Sequence, residues 1–172
     1  MKKTLHTCLL LLFLLALKTT VVAQVKIDET NLLTRLSGLN MLSAAEAEKY
    51  FTDHGYTLFS KKTVSQPTYS MELYKFKLSG ETSSYLLTVI GGEVCGSGQI
   101  TYNEDDYQQA LKIIAAIGFV AGEATTPGSG KTLFAKGDLR FLVQKQTVDG
   151  KSFYVMMLND LLKIAKQAGF KK

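Results

Sequence analysis

The sequence predicts an α+β fold made of two tandem α-β-β-β units, each a helix followed by an antiparallel meander. The helices are expected on one face of antiparallel sheet, with a further helix at the C-terminus. Three observations lead there. Three amphipathic segments each end at Gly followed by an aromatic residue (Gly55-Tyr56, Gly118-Phe119 and Gly169-Phe170). After the first two of them the apolar period switches from 3.6 to two. Two-residue turn dipeptides then punctuate the second alternating stretch.

The first helix begins at Ser43-Ala44-Ala45-Glu46, a capping box in which the serine hydroxyl and the glutamate carboxylate satisfy backbone donors. Ala47, Tyr50, Phe51 and His54 follow on one face before Gly55, which supplies the left-handed residue that ends a helix. The second is capped by Asn103, with Glu104-Asp105-Asp106 at the positive end of its dipole. Its stripe is Tyr107, Ala110, Leu111, Ile114 and Ile117. The third starts near Asn159-Asp160 and places Leu161, Ile164, Ala165 and Ala168 on one face.

Strands are expected over Thr57 to Val64, around Tyr74, Phe76 and Leu78, and over Ser84 to Ile90, which is apolar on both faces and reads as a central strand. In the second unit Thr132–Lys136, Leu139–Thr147 and Ser152–Leu158 form a meander through the turns Gly137-Asp138 and Asp149-Gly150. A Gly-, Thr- and Pro-rich loop precedes it, from Glu123 to Gly130. The glycine-rich run from Gly91 to Gly98 joins the units, as a bulged strand or a mobile loop. The resulting domain spans 42–172, with units at 42–102 and 103–158 and a terminal helix at 159–169. Residues 24–41 form an N-terminal extension in which Val25 and Ile27 alternate like a short strand and Leu32, Leu33 and Leu36 suggest a short helix. In outline this order resembles the tandem helix-plus-sheet layout of the β-lactamase inhibitory proteins and of some small envelope-associated modules. The resemblance is one of topology, without a diagnostic motif, and topology alone does not carry function.

The first 23 residues read as a cleavable secretory signal. Lys2 and Lys3 form a basic start, Cys8 to Leu17 an apolar run, and Val21-Val22-Ala23 a small-residue cleavage site. The apolar run is shorter than the roughly 20 residues that span a bilayer, and Cys8 stands before it, so neither an anchor nor a lipidated cysteine is expected. Cleavage leaves 149 of the 172 residues. It removes Lys2, Lys3 and Lys18 from 20 basic residues and nothing from 15 acids, leaving a charge of +2. That near-neutral, interspersed chain argues against nucleic-acid binding. Cys95 becomes the only cysteine, so no intramolecular disulfide can form.

Candidate chemistry is sparse. Cys95 and His54, the only cysteine and histidine after residue 23, are the one pair that suits thiolate catalysis. Gly128-Ser129-Gly130-Lys131-Thr132 ends like a phosphate loop, but Thr125 stands where the first glycine is required and Lys131 opens a strand rather than a helix. One cysteine and one histidine are too few for a zinc or transition-metal site, and no metal or other cofactor is expected. Binding is expected instead at the glycine-rich stretch (Gly91, Gly92, Gly96, Gly98) or at strand tyrosines such as Tyr69 and Tyr74, since tyrosine combines apolar area with a polar tip. The leading expectation is therefore an exported, non-enzymatic module, periplasmic or secreted, that binds an extracytoplasmic protein or envelope component. The alternatives are a small cysteine-dependent hydrolase using Cys95 with His54, and a structural envelope protein.

Overall fold

The computed structural model describes residues 27–122 and 130–169. Four helices and eight strands follow the order α1 (Leu32–Leu39), α2 (Ala44–Asp53), β1 (Tyr56–Ser65), β2 (Ser70–Leu78), β3 (Ser84–Ile90), β4 (Glu93–Thr101), α3 (Glu104–Ala116), β5 (Val120–Ala121), β6 (Lys131–Lys136), β7 (Leu139–Val148), β8 (Lys151–Asp160) and α4 (Leu161–Gln167). The fold class is mixed α+β. All eight strands belong to one antiparallel sheet of order β1-β2-β3-β4-β8-β7-β6-β5. Two meanders thus meet through their last strands, β4 against β8. None of the described helices is long and apolar enough to cross a membrane.

Local chemistry explains the boundaries. Ser43 and Glu46 form the reciprocal capping box of α2, with Glu46 accepting from the Ser43 backbone N–H at 2.8 Å. Asn103 accepts from the Asp105 N–H at the start of α3, and Asp160 from the Lys163 N–H at the start of α4. At the β7–β8 hairpin both Asp149 (φ 50°) and Gly150 (φ 74°) are left-handed, the combination a two-residue turn requires.

Each meander has four strands rather than the three the sequence suggests. The extra strand in the first is the glycine-rich run itself: Gly91 and Gly92 make the turn and β4 runs on through Cys95, Gly96 and Gly98. Between Thr88↔Gly96 and Val89↔Val94 the register shifts, leaving Cys95 as the additional residue of a bulge. Of the two readings open for this run, the bulged strand is the one observed. The extra strand in the second meander, β5, is only two residues long. The loop read at 123–130 lies outside the described residues except for Gly130, as do Val25 and residues 1–24.

Buried residues of α1, α2 and α3 join buried strand residues in one core cluster. Phe51 of α2 stacks on Phe76 at a centroid distance of 4.3 Å and meets Tyr85 at 5.3 Å. Ala110 and Ile114 of α3 join the same cluster, beside Met156 and Leu158 of β8. Helix α1 supplies Leu33, Leu36 and Leu39 to it as well. Residues 32–39 are therefore part of the domain core and not an appendage to it. Two hydrogen bonds tie α1 to the seam of the sheet: Ser97 Oγ donates to Leu36 O at 2.8 Å and Asn40 Nδ2 donates to Leu158 O at 3.1 Å. Ile27, described as irregular backbone rather than strand, is also buried in this cluster. Helix α4 packs at the β3–β4 turn, where Lys163 pairs with Glu93 at 3.1 Å and Gln167 lies against Gly91.

Candidate functional site

Paired residues of antiparallel strands project from the same face, so the registers separate the two faces of the sheet. Tyr74, Phe76, Tyr85, Leu87, Phe141, Val143, Met156 and Leu158 point into the core. The opposite face carries three cross-sheet rows. One runs Lys77, Ser84, Ile100, Val155, Gln144 and Lys131; the next Lys75, Leu86, Gly98, Met157, Leu142 and Leu133; the third Leu73, Thr88, Gly96, Asn159, Arg140 and Ala135. These positions include four cationic side chains and no acid. Leu86, Ile100, Val155, Met157, Leu142 and Leu133 all keep partial exposure, and Leu73 is exposed. Phe59, at the bulge of β1, is 62% exposed and lies 5.6 and 4.9 Å from the ammonium groups of Lys75 and Lys77. Tyr102, 51% exposed, faces Phe153 at 6.1 Å. At this end of the face is a trough of about 480 Å³ into which Lys75, Lys77 and Lys151 all project.

A second concavity, of about 230 Å³, opens where α1 and α2 meet the ends of β1 and β3. Arg35 donates to the Tyr85 hydroxyl, Tyr50 donates to Glu29 at 2.5 Å, and Glu29 also lies 3.5 Å from His54 Nε2 and 4.0 Å from Arg35. Burial raises the pKa of Tyr50, and the Glu29 carboxylate raises it further. Burial also raises Tyr56 and Tyr85, in Tyr85 against the opposing pull of Arg35. Burial alone would lower the Arg35 guanidinium; Tyr85 and Glu29 outweigh it and raise the pKa. All three phenols therefore stay protonated at neutral pH, Tyr50 as a donor to Glu29 and Tyr85 as an acceptor from Arg35. Tyr50 donates to Glu29, and Arg35 and His54 lie beside the same carboxylate, so these polar groups of the cleft lining are partnered within the chain. Their evident work is to fasten the segment before α1 to α2 and β3. Sequence reasoning missed the cluster because its members are scattered from 29 to 85 and no local motif joins them.

The residues singled out from sequence fall as follows. Cys95 is buried within the β4 bulge, where desolvation pushes its thiol up and Lys163 only partly opposes this. His54 caps the end of α2, with Nδ1 2.7 Å from Tyr50 O and its ring 4.2 Å from that of Tyr50. The Cys95 thiol donates to Glu93 O at 3.5 Å, whereas His54 lies against Tyr50 O and Glu29; among the described residues no hydrogen bond joins the pair. Gly96 and Gly98 do not offer open backbone either. A Cβ at Gly96 would stand 2.3 Å from Asn159 Oδ1, and one at Gly98 2.6 Å from both Met156 O and Met157 Cγ. Tyr74 is buried with its hydroxyl on Glu72 at 3.0 Å, so it is a core residue. Tyr69 precedes β2, its carbonyl accepting from the Gln66 N–H. Gly91 and Gly92, at the β3–β4 turn, are exposed, as is His54, and Tyr69 is partly exposed. Among the described residues no three His, Cys, Asp or Glu side chains converge as a metal site requires.

Comparison of the chain with protein-family models, with curated proteins and with solved structures finds no match.

Proposed function

We propose that the chain is an exported, non-enzymatic binding module that meets an extracytoplasmic protein or envelope component through the open face of its sheet. The observation that carries the reading is the composition of that face. Partly exposed aliphatic rows, two exposed aromatics and an excess of lysine stand side by side on a rigid eight-stranded platform. A surface with buried-type side chains left in water and an excess of one sign of charge is what a complementary partner covers. Export is supported by the basic, apolar and small-residue succession over 1–23. The order helix-then-meander, met twice along the chain, supports two tandem units with α1, α2 and α3 on one face, which frees the other.

The test is capture from an envelope extract with the mature chain as bait, run beside three variants. Leu73→Glu and Leu142→Glu put charge on the open face at partly exposed positions. Lys112→Glu changes the solvent side of α3. The reading expects both open-face variants to lose the captured partner while keeping the wild-type circular dichroism, and Lys112→Glu to retain it. Capture that survives both open-face substitutions refutes the reading.

A further inference from the structure

We infer that the trough at the lysine end of the open face is a binding site for an anionic saccharide. The inference deepens the binding role proposed above and rests on it. Lys75 and Lys77 on β2 form one wall and Lys151 on β8 the other, separated by β3 and β4. Three inter-strand spacings put β2 and β8 about 14 Å apart, and the volume of about 480 Å³ falls in the range of small-ligand sites. Among the described residues no ion pair engages any of the three lysines. Tyr102 lines the trough on the side of Lys151, and Phe59 lies outside its lining, against Lys75 and Lys77. Between the walls the lining is mixed, with Ile100 beside Ser84, and Thr82 and Glu81 from the β2–β3 turn.

That combination selects among anions. Ammonium groups on both walls suit carboxylate or sulfate substituents spaced along a chain. Exposed rings offer platforms to the C–H faces of sugar rings, and Glu81 and Thr82 can exchange hydrogen bonds with hydroxyls. A lone phosphate would leave the rings unused. An acyl chain would need a deep apolar slot where Ser84 and the lysines stand. An acidic peptide added as a strand would need a run of unpaired backbone, whereas β2 and β3 are paired on both sides and β8 lacks a partner on its β4 side, at this end, only over residues 151–153.

The experiment is isothermal titration of the mature chain at fixed salt with oligogalacturonate and with a sulfated heparin tetrasaccharide. Maltotetraose, inorganic phosphate and poly-L-glutamate serve as comparisons. At least one anionic sugar is expected to bind, with Lys77→Gln weakening it by about tenfold and Tyr102→Ala by about fivefold at unchanged charge. Maltotetraose, phosphate and polyglutamate are expected to bind at least tenfold more weakly. The assignment is overturned if neither anionic sugar binds, if phosphate or polyglutamate binds as well as the sugar, or if Tyr102→Ala leaves affinity intact. Should partner capture still depend on Leu73 and Leu142 in that case, only the saccharide assignment falls. If that dependence is lost too, the open-face reading falls with it.

Discussion

At Gly98 the two meanders press backbone against backbone, since any side chain there would strike the Met156 carbonyl of β8. A backbone atom cannot rotate away, so Gly98→Ala is expected to lower stability by about 1–3 kcal/mol, read as a fall in the urea midpoint without a change of slope. An unchanged midpoint would mean that the seam is looser than described. Cys95, a few residues earlier, is expected to be inert. Its buried thiol, with a pKa above the ordinary value, is expected to be alkylated slowly in the folded protein up to about pH 8.5 and quickly once denatured. Rapid labelling of the native protein at neutral pH would contradict that. Both residues show the limit of sequence at this scale. A run of glycines announces missing side chains, but only the register reveals that Asn159 and Met157 occupy the space they leave.

Among the elements, α2 was legible from its capping box alone, and the structure retains every part of that motif. Ser43 and its backbone hold the Glu46 carboxylate below its usual range. Because the folded value is depressed, the stabilisation is present above the unfolded value of about 4.3 and is lost as the pH falls through the folded one. Glu46→Gln keeps an acceptor for the cap but cannot titrate. Its melting temperature is therefore expected to fall less than that of the wild type between about pH 5 and 3, and parallel acid limbs would remove the capping account. The turns of the second meander were equally plain, because Asp149-Gly150 can take positive φ where most residues cannot. Strand β4 was ambiguous because Gly96 and Gly98 weaken the alternation that marks a strand. Strand β5 was invisible: two residues are too few for any periodicity.

Over the whole molecule, the α+β class followed from the change of period along the chain, whereas the joining of β4 to β8 is a long-range pairing with no local signal. Nor does alternation say which face of a strand meets the helices; that awaits the registers and the placing of Leu36, Phe51 and Ile114. The candidate site was illegible for this reason, since Lys75, Lys77 and Lys151 become neighbours only across four strands. The seam and α1 make the two meanders interdependent. Leu36→Ala, at a fully buried position of the helix that packs on both β4 and β8, is expected to cost about 2–5 kcal/mol. It should leave a single unfolding transition by fluorescence and by hydrogen exchange. Separate transitions for the two meanders would show that they fold independently.

The most direct test of the central claim is site-specific photo-crosslinking in cells that export the protein. A benzophenone side chain placed at Leu73 or Tyr102 on the open face is expected to yield discrete adducts, and one placed at Ala45 or Ala115 on the solvent sides of α2 and α3 is expected to yield none. Adducts confined to the helix positions, or an open face that captures nothing, would contradict the account.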